Sequence, residues 1–537
     1  MPVVDLRDIE PEARLEADVC VVGSGPAGST IARELAGERC RVVLLESGGI
    51  ERDVNVDALN EVENVGQPRV ADQWLVRNRM LGGSTKTWTG RCAPFDDIDF
   101  ETRDWVPHSG WPLVAQDLTP FLVRSAPYLG IGAGAGFTTD SFWTLSGRRK
   151  STPDLNDDLL VPFFWQFSKD ASNRFDYMRL GKNLQSGAAA AANVILNATV
   201  THINTMDTGS CVQSVEVRDR SGAVRTVHTP RLVLCAGGIE NARLLLASNR
   251  VISRGVGNQN DLVGRFLMDH PRGRVGHFKV ESSEALQRTL GVYNVKTAAG
   301  THRFRHGLRL SPVYQKQHEL LNCAVWLNEV VTNDDPWNAL SRILRGNGSL
   351  VRDCGFVGSN LGMIARGLKQ FLVDGNGLPR KLERLELECI VEQRPDPESR
   401  ITLSDRKDRY GIPIPRINWK ISEQEQRTVR ILGRLVEAEF KRLGLNELEL
   451  DSWVVNDEKF PPAFQDVAHP TGTTRMSADP KAGVVDANCQ VHGVHGLFVA
   501  GSSIFPTSSH VNPTHMIVAM AIRLADTLKR QLSSGPR

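Results

Sequence analysis

The sequence predicts an α/β fold that is divided into two domains, and three observations lead to this prediction. The chain has 537 residues, which is more than one hydrophobic core usually sustains. Residues 18–46 combine two short apolar runs with a glycine-rich turn and a helix-like stretch, the order expected of a βαβ unit with parallel strands. Alternating apolar and polar residues at 400–403, within the block 280–460, indicate a second domain built on a mostly antiparallel sheet with helices.

The βαβ unit is predicted from its apolar runs and their boundaries. Residues 18–22 form a buried strand, 26–36 a helix that closes at Gly37, and 41–46 the second strand. The turn between the first strand and the helix, residues 23–28, reads Gly-Ser-Gly-Pro-Ala-Gly, which is a GxGxxG pattern. This pattern in this context is typical of a Rossmann-like domain.

Three glycines and one carboxylate of this unit predict a dinucleotide site. Gly23 allows the tight turn, Gly25 lets the backbone approach a pyrophosphate, and Gly28 lets the helix pack against the strand. The pyrophosphate would lie against the helix amino terminus, where free N–H groups favour anionic oxygen. Glu46 ends the second strand, where it is placed to accept hydrogen bonds from ribose hydroxyls and to repel a 2′-phosphate. These features do not separate FAD from NAD.

Two later segments indicate that the dinucleotide-binding domain is assembled from separated pieces. An apolar run leads into a glycine pair and a periodic helix within residues 231–247, and residues 496–501 precede a loop and a long helix at 513–532. The predicted dinucleotide-binding domain comprises residues 1–100, 190–280 and 465–537, and the predicted substrate-binding domain comprises residues 101–189 and 281–464.

Composition and charge exclude several classes of protein. The net charge is +2 and no long basic run is present, which argues against nucleic acid or an anionic membrane as a partner. The apolar runs are too short to span a bilayer and no secretion signal is found, so we expect a cytoplasmic protein. The nine cysteines stand singly and no metal-ligand spacing is present, so we expect free thiols and no metal site.

Five further motifs lie in order along the chain. They are the glycine-rich loop 81–90, Gly-Arg-Phe-Leu-Met-Asp-His-Pro at 264–271, His-Pro-Thr-Gly-Thr-Thr-Arg-Met at 469–476, the segment 496–506, and Asn-Pro-Thr at 512–514. Together with the first glycine turn they resemble the glucose–methanol–choline oxidoreductase family over nearly the whole chain. Within that family the sequence looks closest to the bacterial pyranose and glycoside oxidases, judged by Thr-Trp-Thr at 87–89 and by a histidine–asparagine pair.

The resemblance implies FAD rather than NAD, a substrate domain stacked on the FAD-binding domain, and oxidation of a CH–OH group to a carbonyl by hydride transfer to flavin N5. It also implies a set of cofactor contacts: a loop beside the isoalloxazine, a backbone contact to adenine, and a helix amino terminus near the reduced ring. These positions are Gly82, Gly83, Thr85, Thr89, Val200, Ala236, Gly237, Gly501, Pro513 and Thr514.

His469 and Asn512 match the catalytic pair of the family. A neutral histidine is suited to remove the hydroxyl proton as the C–H bond breaks, because burial can set its pKa near the operating pH. Asn512 directly precedes a proline, which is typical of a helix N-cap, and this role is compatible with hydrogen bonding the substrate oxygen. His510 and His515 flank Asn512 and are rival candidates for the base.

One position of the loop bears on how the cofactor is attached. In related fungal enzymes a histidine just before the loop tryptophan carries a covalent flavin bond, whereas this chain has Thr87 there. Threonine offers no comparable ring nitrogen, so the resemblance leads us to expect non-covalent FAD.

The substrate is expected to be a small hydroxylated molecule, with a sugar, glycoside or polyol favoured, and the electron acceptor to be oxygen or another compound. Three alternatives stay open: a dehydrogenase of a simpler alcohol, a lyase on the same scaffold, and an NAD-dependent reductase favoured only by the first glycine turn. Glu392 and Gln393 end a strand-like segment, where surface ion pairing and pocket lining are equally expected.

Overall fold

The computed structural model describes residues 3–10, 13–70, 72–132, 136–150, 152–170, 173, 176–185, 192–297, 300–445 and 447–534. Two large sheets organise this part of the chain. One is a parallel sheet of six strands, and the other is an antiparallel sheet of eight strands. The predicted α/β class is therefore confirmed, and so is the mostly antiparallel character of the second sheet.

The strands follow one another along the chain. They are β1 Val3–Asp5, β2 Leu15–Glu16, β3 Val19–Val22, β4 Val42–Leu45, β5 Glu63–Asn64, β6 Arg91–Cys92, β7 Leu160–Phe167, β8 Ala192–Leu196, β9 Thr199–Thr205, β10 Val212–Arg218, β11 Val224–His228, β12 Leu232–Leu234, β13 Arg272–Phe278, β14 Val292–Thr297, β15 Gly300–Leu310, β16 Cys323–Val331, β17 Leu382–Val391, β18 Arg400–Lys407, β19 Pro413–Asn418, β20 Leu448–Leu450 and β21 Leu497–Val499.

The α-helices lie between these strands. They are α1 Pro26–Glu34, α2 Val54–Asp57, α3 Asp97–Phe100, α4 Ala115–Leu129, α5 Thr139–Ser146, α6 Leu180–Gln185, α7 Gly237–Ala247, α8 Ser283–Leu290, α9 Pro312–His318, α10 Pro336–Arg345, α11 Leu350–Gly358, α12 Leu361–Lys369, α13 Glu423–Arg442, α14 Ser452–Val455 and α15 Thr514–Ser534. Within the described chain, no helix combines the length and the hydropathy that a membrane span requires.

The parallel sheet has the order β1-β8-β4-β3-β12-β21. Its central strands β3 and β4 are buried at every residue, as expected of strands that are covered on both faces. Strand β3 leads into α1 and β12 leads into α7, so the carboxyl ends of neighbouring strands open at one edge of the sheet. Ligands of open parallel sheets bind at this edge.

The antiparallel sheet has the order β20-β13-β17-β16-β15-β7-β6, with β14 paired to β15. Helix α13 packs its apolar side chains against this sheet and shares a core cluster with it. Two smaller sheets, β2-β11-β10-β9 and β18-β19-β5, complete the described part. Strands β6 and β13 both belong to the antiparallel sheet, where β6 pairs with β7 and β13 pairs with β17. The predicted boundaries assign both strands to the dinucleotide-binding domain, and those boundaries stay a prediction.

Glu392 lies in neither of the two environments expected for it. Its carboxylate forms a fully buried ion pair with Arg103, with Oε1 to Nη2 at 2.5 Å and Oε2 to Nη1 at 2.8 Å, and it also accepts from the backbone N–H of Asn322. Both side chains are 0% exposed. Gln393 is buried too and accepts a hydrogen bond from the backbone N–H of Asp269 at 2.8 Å. Glu392 and Gln393 therefore both make buried contacts that hold distant segments together in the interior.

Replacing Gly28 by Ala tests how closely α1 packs on the glycine turn. A Cβ atom at this position would lie 1.9 Å from the carbonyl oxygen of Gly23, so α1 would have to move. We expect Gly28→Ala to lower the free energy of unfolding by about 1–3 kcal/mol, the usual cost of overpacking. Urea denaturation measures this change.

Gly355→Ala in α11 is the matched control, because a Cβ atom there meets no atom within 4 Å. Since alanine is the better helix former, we expect a gain of about 0.5–1 kcal/mol in the free energy of unfolding. Equal stability of the two variants would contradict the close packing inferred for Gly28.

Candidate active site

A cavity of about 410 Å³ opens at the carboxyl edge of the parallel sheet. Its wall includes the residues that directly follow the strands β3, β4 and β12, which are Gly23, Glu46 and Cys235. Segments from both large sheets and from the chain's last quarter complete it. Among the lining residues are Arg77, Arg79, Gly83, Thr87, Trp88, Thr89, Arg91, Val200, Ala236, Gly237, Glu240, His469, Ser502, Asn512, Pro513 and Thr514.

The glycine turn at one end of the cavity fits a dinucleotide. Gly23 has φ +99°, and a Cβ atom on it would lie 2.7 Å from the carbonyl oxygen of Cys235, so only glycine suits this position. Gly25 lies next to Pro26 at the start of α1 and provides no side-chain cap, so the first N–H groups of the helix are available to an anion. Gly28 does not line the cavity, and it serves the packing of α1 instead.

Glu46 lines the cavity and is already engaged within the protein. Its Oε2 accepts from the hydroxyl of Ser24 at 2.6 Å and from the N–H of Ser24 at 3.0 Å, while Oε1 accepts from the N–H of Gly48 at 2.9 Å. Burial raises the pKa of Glu46, and these hydrogen bonds oppose the shift. A carboxylate has about four acceptor sites, so Oε1 can still accept from a ribose hydroxyl, and that role stays a prediction.

The glycine-rich loop contributes unequally to the cavity wall. Gly83 and Thr89 line the cavity, whereas Gly82 and Thr85 do not. The buried hydroxyl of Thr85 donates to the carbonyl oxygen of Gly82 at 2.6 Å, which closes the turn behind the wall. The loop therefore presents two of its four predicted contact residues and uses the other two to hold its shape.

The other predicted cofactor positions are mostly brought together. Val200, Ala236, Gly237, Pro513 and Thr514 line the cavity together with the loop residues. Gly501 does not line it, and its neighbour Ser502 does. Gly501 has φ +111°, so it shapes the backbone that places Ser502. The contacts of all these residues with a cofactor stay predictions.

His469 and Asn512 meet at the cavity, although they are far apart in the sequence. The Nδ2 atom of Asn512 lies 3.4 Å from the Nε2 atom of His469. Helix α15 begins at Thr514, one residue later than predicted, so Asn512 precedes the capping position. Its amide contacts His469 instead, which favours the functional interpretation of Asn512 over the N-cap.

A third residue, His270, determines which nitrogen of His469 carries the proton. The Nε2 atom of His270 lies 3.1 Å and 3.0 Å from the carbonyl oxygens of Ser508 and Ser509, so it must be a donor. Neutral His270 then has its lone pair on Nδ1, 3.0 Å from the Nδ1 atom of His469. His469 donates there, which leaves its own Nε2 unprotonated and directed at Asn512.

The electrostatic environment keeps His469 neutral. Burial, the neighbouring His270 and the positive charges of Arg272 and Arg91 lower the pKa of His469 to about 3, against an opposing effect of Asp269. Burial also lowers the pKa of His270. Both rings are therefore uncharged at neutral pH, as the tautomer assignment requires.

A buried carboxylate fixes the backbone of His469. Asp269 accepts from the backbone N–H of His469 at 3.0 Å, from that of Val467 at 3.2 Å and from Nη2 of Arg69 at 2.8 Å. Arg69 also reaches Asp466 at 3.1 Å. Burial, the largest single effect, opposes ionisation of Asp269, but Arg69 and the other neighbouring groups together outweigh it, so the pKa of Asp269 lies below its usual value.

The rival histidines lie outside the cavity wall. His510 is 1% exposed and its Nδ1 atom lies 3.6 Å from Asp96, and His515 is fully buried against Phe137. Asp96, Asp99 and His510 could together hold a metal ion, but Asn322 donates to both carboxylates and Arg309 lies beside Asp96. The absence of a metal site stays a prediction.

Sequence reasoning missed several residues of the site. His270 stands within the recognised motif 264–271 without a role assigned, and Arg91 directly follows the glycine-rich loop 81–90 without one. Arg77 and Arg79 both pair with Glu240 at the cavity wall. The only sequence signal for them is their proximity to glycine motifs, because their partners are distant along the chain.

Comparisons with known proteins agree with this architecture. A family model described as GMC oxidoreductase matches residues 395–521. A 2-methyl-1,2-propanediol dehydrogenase of Mycolicibacterium austroafricanum is 26% identical over 582 aligned residues, which cover 96% of each chain. A C-glycoside 3-oxidase of Microbacterium trichothecenolyticum is 30% identical over 167 residues, which cover 30% of each chain.

A solved structure shares the fold. The crystal structure of pyridoxine 4-oxidase from Mesorbium loti has a TM-score of 0.58 and 17% sequence identity to this chain, covering 97% of this chain and 100% of that one. With the family match and the relatives that extend along the chain, it agrees with the motifs found in the sequence. Residues 395–521 match the GMC oxidoreductase family model, and the relative that aligns along the whole chain agrees with the resemblance of the sequence to the glucose–methanol–choline (GMC) oxidoreductase family.

Proposed function

We propose that the chain is an FAD-dependent oxidoreductase that oxidises a CH–OH group of a small hydroxylated molecule to a carbonyl. One observation carries this proposal: the unprotonated Nε2 of His469 and the amide of Asn512 face the same cavity as the glycine turn. A base beside a dinucleotide cleft is what hydride removal from an alcohol requires. The match of residues 395–521 to the GMC oxidoreductase family model supports the same conclusion.

The proposed chemistry assigns one task to each side chain of the pair. The Nε2 atom of His469 accepts the hydroxyl proton as the C–H bond breaks, because alkoxide character makes the carbon a better hydride donor. Asn512 donates a hydrogen bond to the same oxygen and orients the carbinol carbon. Bound FAD supplies the two-electron acceptor for the hydride. The first N–H groups of α15, which follow Pro513, would stabilise negative charge at the part of the cavity that they line.

We propose that FAD binds without a covalent bond. The chain has Thr87 where a histidine would be needed, and the Thr87 hydroxyl already donates to Oδ1 of Asn78 at 2.7 Å. The open start of α1 and the residues that line the cavity fit a dinucleotide held by backbone and polar contacts. Val200 would contact adenine, Gly25 the pyrophosphate, and Gly83 and Thr89 the isoalloxazine.

We propose a sugar, glycoside or polyol as the substrate, and oxygen or another compound as the electron acceptor. The names of two relatives, a diol dehydrogenase and a C-glycoside 3-oxidase, support a substrate with several hydroxyl groups. Arg91 of the antiparallel sheet lines the cavity together with His469, and its guanidinium lies over the rings of Trp165 and Trp326, so a polar group is available to a hydroxylated ligand.

Anaerobic reduction of the purified protein tests the proposed function and the role of His469. We expect the yellow protein to lose its flavin absorbance with at least one compound from a panel of sugars, glycosides, cyclitols and simple alcohols. His469→Ala should retain FAD and slow this reduction by about 10²–10⁴-fold, the usual contribution of a general base. Stopped-flow absorbance measures the rate.

His492→Ala is the control for that experiment, because His492 lies in a turn and its Nε2 contacts the carbonyl oxygen of Ser477. In the unsubstituted enzyme the reduction rate should stay level from about pH 8 to about pH 5, since His469 with a pKa of about 3 remains unprotonated there. A flavin that stays oxidised with every compound would favour a lyase, and unchanged reduction in His469→Ala would remove His469 from its role.

Two substitutions of His270 test its effect on the tautomer of His469. His270→Leu removes the acceptor for Nδ1–H, and we expect flavin reduction to slow by about 10–100-fold, as for residues that orient a reacting histidine. His270→Asn keeps an acceptor near the same place and should retain most of the rate. In His270→Leu the rate should also acquire a pH dependence. Equal loss in both variants, with a level pH profile, would indicate a structural role only.

Acid precipitation tests the mode of attachment. Because Thr87 lacks a ring nitrogen, denaturation should release all of the FAD into the supernatant, where absorbance and chromatography identify it intact. Apoprotein reconstituted with free FAD should regain its colour. Yellow precipitated protein would contradict non-covalent binding.

A further inference from the structure

Arg91 is a cation on the cavity wall for which no direct ion pair is found in the described part of the chain. It stands at the start of β6, two residues after Thr89, and lines the same cavity as His469 and Asn512. Its Nε atom is buried without a hydrogen-bond partner, and neither a hydrogen bond nor an ion pair of the guanidinium is found among the described residues. The residue is partly exposed to the cavity, and a largely desolvated charge of this kind is costly unless something pairs with it.

Two tryptophans hold the Arg91 side chain in place. The guanidinium carbon lies 4.8 Å from the ring centroid of Trp326 on β16 and 5.7 Å from that of Trp165 on β7. The two indole rings meet edge to face, with their centroids 5.5 Å apart. Cation–π contacts orient a guanidinium but leave its positive charge unneutralised. The N–H groups of Arg91 are therefore fixed and ready to bind a planar anion.

The charges of two neighbouring arginines increase the positive electrostatic potential at Arg91. Arg272 lies over the ring of Trp326 at 5.3 Å and pairs with Glu388 at 2.6 Å, while Arg305 donates to the carbonyl oxygen of Leu327. Burial lowers the pKa of Arg91, and the charges of Arg305 and Arg272 lower it further. An arginine in a protein nevertheless keeps its proton at neutral pH, so the cost of this burial is relieved when an anion binds.

We infer that Arg91 binds a carboxylate group of the substrate, and that the substrates of this enzyme are hydroxylated carboxylic acids of the aldonic or uronic type. This inference rests on the proposed function and names its substrate class. Arginine binds carboxylates through two parallel hydrogen bonds, which would set the distance between the acid group and the carbon that is oxidised.

The surroundings of Arg91 also favour a carboxylate over a phosphate as the bound anion. The negative charge of Glu388 raises the pKa of Arg91, and Glu388 would repel a dianion more strongly than a monoanion. The carboxylate takes no part in the reaction. The carbinol would lose its hydroxyl proton to His469 and its hydride to bound FAD, and the acid group would remain unchanged on the carbonyl product.

The binding of a simple carboxylate to the yellow holoenzyme tests this inference without knowledge of the substrate. Sodium acetate at constant ionic strength should perturb the flavin absorbance saturably, whereas acetamide, its neutral counterpart of similar shape, should have no effect. In Arg91→Met the apparent Kd for acetate should rise at least 10-fold, and Arg91→Lys should stay within a few-fold of the unsubstituted enzyme. Each variant is compared at equal FAD content.

Arg274→Met is the matched control. Arg274 lies on β13, two residues from Arg272, and its partially exposed side chain pairs with Asp451 at 2.8 Å. We expect it to bind acetate as the unsubstituted enzyme does. Equal acetate binding in Arg91→Met and Arg274→Met, or equal responses to acetate and acetamide, would overturn the inference. A saturable response to inorganic phosphate but not to acetate would overturn it as well.

A matched pair of substrates extends the test to turnover. D-Gluconate and D-glucitol differ at one end of the chain, a carboxylate against a CH₂OH group. We expect gluconate to reduce the flavin with at least 10-fold higher kcat/KM than glucitol, and Arg91→Met to abolish that difference. A yellow enzyme that neutral sugars reduce and acetate does not perturb would contradict this inference alone. A colourless protein would contradict the proposed function.

Discussion

Asp269 lies fully buried where two segments almost two hundred residues apart meet, and the geometry of the active site depends on its carboxylate. It holds the backbone N–H groups of His270, Val467 and His469, and it binds Arg69. A charge in that position is tolerated only because each oxygen has such partners. The two histidine-bearing segments therefore cannot separate without exposing an unpaired charge in the interior, and the distance between the two rings follows from this constraint.

Much of the cavity could be predicted because its signals are local. The glycine turn, the strand that Glu46 directly follows and the loop around Thr89 each act through short-range geometry, since a positive φ or a close approach of backbone leaves a mark in the sequence itself. The pair formed by His469 and Asn512 was available through the family motifs. Even here the structure separates residues that line the cavity from residues that only hold its shape. Gly82, Thr85 and Gly501 belong to the second kind, and their neighbours line the cavity.

The residues that were missed act through partners that sequence spacing does not reveal. Glu392 is paired with Arg103 across the fold, and no pattern near either residue indicates a buried ion pair. His270 gains its role only because Ser508 and Ser509 present two carbonyl oxygens to one ring nitrogen. Among the described residues, the guanidinium of Arg91 has no hydrogen-bond or ion-pair partner, and its neighbours in the sequence could not show this.

The ring of His270 has a consequence for evolution within this scaffold. One edge of the ring contacts His469, and the other holds the loop that ends at Asn512, so the two proposed functions, proton acceptance and substrate alignment, share a single support. Changes in the 508–511 loop would therefore be transmitted to both functions at once. New specificities should arise more readily on the antiparallel sheet, whose side chains can vary without disturbing that support.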